Sequence, residues 1–303
     1  MKRVTICLGA IFPILFISAV ADPVRAQNPG PPDHPAVTVR GQTYSPRSIL
    51  ARNMGTTADQ ETAFPPHKII GNIYYVGTRT LSSFLVVTPQ GNILINSTFE
   101  RNVPTIAKSV EQLGFKFSDV KVLLGTHAHR DHQEGDALVK QMTGAQVLMM
   151  AEDVSALRAM KPEGKEHPID KMLHDGEEVT VGGTTLVAHL TAGHTRGCTT
   201  WTTEVEEGGR TYHVVIHCSL RSPNTVSAAV KAEFDRTFPL VRSLPCDVQL
   251  GDHPSQFNMQ AKYARLQPGR LNPYIDPESC LFEADIQEAM FHATLEEQGE
   301  AGR

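Results

Sequence analysis

A chain of 303 residues with 28 Lys+Arg against 33 Asp+Glu carries a formal net charge of -5. It has no run of basic residues, which excludes nucleic acid and anionic membrane surfaces as partners, because both are recognised through clustered positive charge. Hydrophobic residues make up 40% of the chain, enough for one large domain with its own core, and no repeat of about 20 to 50 residues suggests a solenoid.

Met1-Lys2-Arg3 is a short basic start, the following residues up to Ala21 are largely apolar, and Val24-Arg25-Ala26 offers a small-residue cleavage site. Residues 1–26 therefore read as a cleaved secretory signal, predicting a periplasmic or secreted protein. A membrane anchor is the alternative, but the apolar run is broken by Pro13 and is shorter than the roughly 20 residues a membrane span needs, so no membrane association is expected after cleavage. Cys7 leaves with the signal. Residues 27–66, with Pro29, Pro31, Pro32, Pro35, Pro65 and Pro66, read as an extended arm before a domain over 67–303.

Within that domain, β-branched runs around a Pro89-Gln90-Gly91-Asn92 turn predict a strand meander over 72–76, 82–88 and 93–95. Apolar spacing at Val103, Ile106, Ala107, Val110 and Leu113, with Pro104 near the start and Gly114 at the stop, predicts a helix. Val122-Leu123-Leu124 then reads as a buried strand ending at Gly125. A helix over 136–142, a strand over 146–150 and a helix over 152–160 follow. The second half predicts strands over 178–181, 184–190, 199–206 and 212–218, a helix over 227–244, a strand over 248–250 and closing helices. Strands followed by helices, twice, suit two sheets packed face to face with helices outside.

The densest chemistry stands at the end of the buried strand, in Thr126-His127-Ala128-His129-Arg130-Asp131-His132. His127 and His129 alternate so that both can point one way from a strand end. Imidazole and carboxylate are zinc ligands, and four of them this close suit two ions better than one. A surface histidine cluster is the plain alternative. His194 and His253 also follow strand-like runs, in loops where they are either further ligands or satisfied structural histidines. His189 and His217 fall inside apolar strands and read as packed or hydrogen-bonded. Four cysteines remain after signal removal: Cys198, Cys218, Cys246 and Cys280. Three pairings are possible, and reduced thiols are a further alternative. A turn centred on Gly208 would set Cys198 opposite Cys218, within disulfide reach, which leaves Cys246 with Cys280.

H-x-H-x-D-H resembles the signature of the metallo-β-lactamase superfamily. The segment from Ala192 to Trp201, AGHTRGCTTW, resembles subclass B3 of that family. So do Leu250-Gly251-Asp252-His253-Pro254, followed by Met259 and Lys262, and Asn272-Pro273-Tyr274-Ile275-Asp276-Pro277. The likeness runs from about Phe64 to about Phe291. It implies an α/β fold, the αβ/βα four-layer sandwich with two mixed sheets, and favours the Cys246–Cys280 pairing. Two zinc ions are implied as cofactors, one on His127, His129 and His194 and the other on Asp131, His132 and His253. The implied activity is hydrolysis of the β-lactam amide bond in penicillins, cephalosporins and carbapenems by a zinc-held hydroxide that Asp131 orients, conferring antibiotic resistance. The implied partner is a small-molecule β-lactam, taken by a monomer.

One position separates branches of the family. Ser219 aligns where many relatives place a bridging aspartate and other subclasses a metal-binding cysteine; a shift of one residue would put Cys218 there instead. Ser219 and Arg221 are then candidates for the substrate carboxylate, although a solvated loop arginine reads the same way in sequence. Three departures stand out: Asn96 for an aspartate in the turn behind the site, Gln133-Glu134-Gly135 for a Gly-Gly step, and a short 219–246 segment. A hydrolase of another ester, lactone, thioester or phosphodiester on the same fold remains open, as does a zinc-binding protein without catalysis.

Overall fold

The computed structural model describes residues 31–301, and the signal expected over 1–26 lies outside them. The lead-in is not an extended arm throughout. Strands β1 (Val37–Val39) and β2 (Gln42–Tyr44) form a hairpin, and helices α1 (Pro46–Met54) and α2 (Thr57–Glu61) follow. Its prolines had hidden two helix starts. Ser45 with Ser48, and Thr56 with Asp59, each close a reciprocal capping box, and Pro46 occupies the first turn where its missing N–H costs nothing.

The first sheet has seven strands whose spatial order follows the chain: β3 (His67–Ile70), β4 (Ile73–Tyr75), β5 (Phe84–Val86), β6 (Asn92–Ile95), β7 (Val120–Leu124), β8 (Gln146–Met150) and β9 (Lys171–Leu173). Neighbours are antiparallel from β3 to β6 and parallel from β6 to β9. The parallel crossovers carry α3 (Val103–Gln112), then α4 (Arg130–Gln133) and α5 (Asp136–Thr143), then α6 (Val154–Met160). The second sheet orders five strands: β10 (Glu178–Val181), β11 (Thr184–Leu190), β12 (Thr199–Glu207), β13 (Arg210–His217) and β14 (Val248–Gly251). It is antiparallel except for β13 and β14, which are joined through α7 (Ala228–Ser243). Helices α8 (Met259–Ala264) and α9 (Phe282–Ala301) close the chain.

Alternation along the strands builds the layers. Ile95, Leu124 and Leu148 meet Trp201, Ile216 and Leu250 between the two sheets, whereas Leu123 points the other way to Val110 and Val139 of α3 and α5. Phe234, Phe238 and Phe291 pack α7 on α9, and Tyr44 and Ile49 of the lead-in cover Ile286 and Met290 on α9. The result is an αβ/βα sandwich. Trp201, the single tryptophan, donates its indole N–H to the Gly125 carbonyl at 3.0 Å, fastening the second sheet to the end of β7.

Register then fixes which loops share an edge. Pairing of Ile95 with Leu124 sets Asn96 beside Gly125 and Thr126, and pairing of His217 with Gly251 sets Cys218 and Ser219 beside Asp252 and His253. The β12–β13 hairpin turns on Gly208 and Gly209 alone, both at positive φ (61° and 75°), as a two-residue turn requires. Continued past Trp201 and Ile216, that ladder sets Cys198 opposite Ser219, one residue away from the pairing expected of the sequence. The Cys198–Cys218 disulfide nevertheless forms, beyond the ladder's end, with Cα atoms 5.8 Å apart; Cys246–Cys280 is the second bridge.

Candidate metal centre

Gly125 follows β7 in close quarters, where a Cβ would lie 2.6 Å from the Met149 sulfur and the Gln133 amide nitrogen. The chain then turns into α4, and His127 and His129 come to lie with ring centroids 4.6 Å apart. His194 arrives from the loop after β11, its ring 4.7 Å from each of them. The preceding Gly193 has φ 138° and faces the Phe234 ring, where a Cβ would sit at 2.7 Å. His194 Nδ1–H donates to the Arg221 carbonyl at 2.7 Å, so its other nitrogen is free to face the cluster. One ligand atom from each of these three histidines lies within 4.8 Å of the others.

A second group adjoins it. His253 follows β14 and donates Nδ1–H to the Thr80 carbonyl at 2.9 Å. Its Nε2 lies 3.8 Å from Asp131 Oδ2, and His132 Nε2 lies 3.2 Å from the same oxygen. Asp131, His132 and His253 again present ligand atoms within 4.8 Å of one another. Four separate elements thus deliver six residues to one edge of the sandwich.

Sequence reasoning missed two residues here. Asp252, fully buried, stands 3.3 Å from His127 Nδ1 and also accepts the Ser219 N–H at 2.7 Å; with His127 and His132 it forms a third cluster of the same dimensions. Asp153, 3% exposed, accepts N–H bonds from Ala128 and Gly197 and the Thr195 hydroxyl, tying the His127–His129 loop to the His194 loop. Asp153 has no histidine beside it to mark a motif, and Asp252 adjoins His253, the residue whose type points to metal binding in sequence. Ser219 is buried at the same edge, and the Arg221 guanidinium is near enough to act on His129 and His194. Glu134, one of the departures from the family pattern, pairs with Arg130 at 2.6 Å and joins none of the three clusters. His189 bonds Thr202, and His217 is buried below Cys218. A groove of about 790 Å³, lined by Thr184, His189, Thr202, His213 and Leu244 among others, contains none of the six clustered residues.

Burial, then the neighbouring imidazoles, hold His129 down to about 3 and His253 to about 4; burial holds His217 to about 4. His67, His189 and His194 are also lowered, each chiefly by burial. His132 and His167 go up: burial opposes their charge, but Asp131 together with Asp252 for His132, and Asp136 together with the Gln133 and Pro168 carbonyls for His167, outweigh it in sum. Asp131 stays well below the usual carboxylate range, the surrounding histidines outweighing its own desolvation. The neutral imidazoles are already in the form that binds a metal. In chelated protein the unfolded chain takes up protons near the ordinary histidine value of about 6.5, before the six lowered histidines of the fold do. Stability is therefore present above that value and lost as pH falls toward 4, with His132 and His167 offsetting part of the loss. The urea midpoint of chelated protein should be lower at pH 5 than at pH 7.5; an unchanged or higher midpoint would contradict this balance.

A family model described as the metallo-beta-lactamase superfamily matches residues 76–207. Among solved structures, native FEZ-1 metallo-beta-lactamase from Legionella gormanii is 42% identical, covering 79% of this chain and 98% of its own, with a TM-score of 0.75. BJP-1, a subclass B3 metallo-beta-lactamase of Bradyrhizobium japonicum, is 33% identical over 81% of this chain and 98% of its own, also with a TM-score of 0.75. The class B3 di-zinc metallo-beta-lactamase LRA-12 from an Alaskan soil metagenome is 26% identical over 78% and 96%, with a TM-score of 0.72. The chain belongs to the metallo-β-lactamase superfamily, in its subclass B3.

Proposed function

We propose that the protein is a two-zinc β-lactamase that hydrolyses the amide bond of penicillins, cephalosporins and carbapenems. The observation that carries this is the pair of adjoining three-residue groups, in which the outer nitrogens of His194 and His253 are each held by a backbone carbonyl. Such anchoring is usual for zinc-binding histidines, and neutral imidazole with carboxylate is a donor set zinc accepts. His127, His129 and His194 would hold one ion, and Asp131, His132 and His253 the other. When bound, zinc supplies Lewis acidity and brings the pKa of a water toward neutrality.

The protein's own groups do the rest. Asp131, held ionised by the surrounding histidines, would accept a hydrogen bond from the water or hydroxide and so orient it, besides serving as a ligand of the second ion. Arg221 and Ser219 flank the first histidine group and would receive the carboxylate that β-lactam antibiotics carry, the guanidinium through charge-assisted hydrogen bonds. Arg221→Ala should raise KM for a cephalosporin about 10- to 100-fold, the worth of one such bond, with a smaller change in kcat. A KM within about twofold of wild type would remove Arg221 from substrate binding.

The basic start and apolar run of residues 1–26 support export, and no helix among the described residues is long and apolar enough to cross a membrane. The direct test of activity is hydrolysis of a chromogenic cephalosporin and of a carbapenem by purified protein, with zinc and after chelation. Turnover that vanishes on chelation and returns with zinc is expected. Two bound zinc ions without turnover of either substrate would direct the search to another hydrolytic reaction on this fold.

A further inference from the structure

We infer that Asp252 is the positioning residue of His127, and that Asn96 and Asp252 form a matched pair in which one carboxylate, held on the β14 side, sets the imidazole for metal binding. This rests on the reading of His127 as a zinc ligand.

Asp252, Asn96 and His127 are at most 3% exposed, so water does not serve their polar atoms. An ionised carboxylate can only accept hydrogen bonds. Asp252 takes the Ser219 N–H at 2.7 Å and the Asn96 amide N–H at 3.3 Å, and one of its oxygens faces His127 Nδ1 at 3.3 Å. His127 must then donate from Nδ1, which leaves the lone pair on Nε2, the nitrogen that faces His129 Nδ1 at 3.1 Å inside the cluster. The nearest competing acceptors on the Nδ1 side are the Thr126 hydroxyl at 3.4 Å and the Cys218 sulfur at 3.6 Å, both uncharged and farther away.

Asn96 completes the pair. It sits in the left-handed region at φ 64°, which asparagine tolerates better than most residues. Its carbonyl oxygen accepts the Thr126 N–H at 3.0 Å and the Thr126 hydroxyl at 3.1 Å, so its NH₂ must turn toward Asp252. A carboxylate at position 96 would face that of Asp252 without water between them. The amide there and the acid at 252 are therefore complementary, and the charge reaches His127 directly.

Charge and hydrogen bonding can be separated by exchanging the two side chains. Asp252→Asn alone sets two amide groups against each other. The double variant Asp252→Asn/Asn96→Asp keeps an acceptor for each of these donors: the new carboxylate accepts from Thr126, from the Gln133 amide that Asn96 accepts at 2.8 Å, and from the new amide, whose oxygen accepts from Ser219 and His127. Only the charge moves away from the imidazole. Zinc affinity would be measured by competition with a chromophoric chelator, alongside thermal melting of the chelated forms. Asp252→Asn should bind zinc about 10- to 100-fold more weakly, the usual cost of losing a ligand's carboxylate partner. The double variant should regain the melting temperature of wild type while its zinc affinity stays at least about tenfold low. Recovery of affinity together with stability, or an unchanged affinity in Asp252→Asn, would overturn the inference. Wild-type protein that fails to bind zinc tightly would instead overturn the metal reading beneath it.

Discussion

His194→Ala should lower kcat/KM for a cephalosporin by more than about 100-fold, because losing a ligand's outer partner alone costs up to that much, and should leave one zinc where wild type holds two. The three rings of the first group stand 4.6 to 4.7 Å apart, and removing one leaves only two imidazoles for a cation that needs at least three protein ligands at a catalytic site. Misfolding would not explain the loss. The His194 residue as a whole is half-buried, the burial of its ring and then the neighbouring charges disfavour its charged form, and its side-chain hydrogen bond goes to the Arg221 carbonyl. The chelated variant should therefore melt close to wild type. His253→Ala should also lose one zinc, but the one held with Asp131 and His132, so each variant should keep the equivalent the other lacks. Zinc content after gel filtration, read with hydrolysis kinetics, checks both. A His194→Ala protein with two zinc ions and activity within tenfold of wild type would break the assignment.

The residues that sequence alone exposes are those whose chemistry is local. Three imidazoles and a carboxylate between His127 and His132 announce a site because they are contiguous, and the strand before them ends in Val122-Leu123-Leu124, buried on both faces as the core of a central parallel strand is, although Lys121 earlier in it is exposed. His194 and His253 were legible at one remove, as strand-end histidines sharpened by the family resemblance. The short strands β3 and β9, of 4 and 3 residues, were not expected, since alternation over so few positions carries little signal. The lead-in helices were lost for another reason: the prolines between residues 29 and 35 and at 65 and 66 dominated a segment whose middle is set by two capping boxes. The one-residue discrepancy at Cys198 shows how a hairpin register hangs on turn length. A turn centred on Gly208 and a turn of Gly208 with Gly209 differ by one residue, and only the second matches the positive φ of both glycines. Asp153 acts wholly through tertiary contact with no local pattern to mark it, and Asp252, although it lies inside the Leu250–Pro254 segment, shows its role only through its contacts with His127 and Ser219.

Asp153→Ala should be the most damaging substitution for the fold outside the metal ligands, with an expected loss of about 3 to 5 kcal/mol in the chelated protein. One oxygen accepts the Ala128 N–H at 2.8 Å and the Thr195 hydroxyl at 2.7 Å; the other accepts the Gly197 N–H at 2.7 Å. Truncation strands the buried Gly197 N–H and takes the acceptor from the part-buried Ala128 N–H and Thr195 hydroxyl, at up to about 1 to 3 kcal/mol each before the loops relax. No simple replacement serves. Asparagine keeps an acceptor on one side but turns an NH₂ toward a donor on the other. Gly197 already packs so closely that a Cβ there would lie 2.6 Å from the Asp153 backbone nitrogen, leaving little room for a longer acid. The damage should reach the site, because Ala128 lies between His127 and His129, and Thr195 follows His194. Saturating zinc should then restore part of the lost stability, since an ion that binds the folded form alone shifts the equilibrium by mass action. Urea denaturation of chelated and zinc-loaded protein measures both effects. A loss below about 1 kcal/mol, the scale of a single ordinary hydrogen bond, would mean that the two loops are held together by packing and by Trp201, and that Asp153 is dispensable.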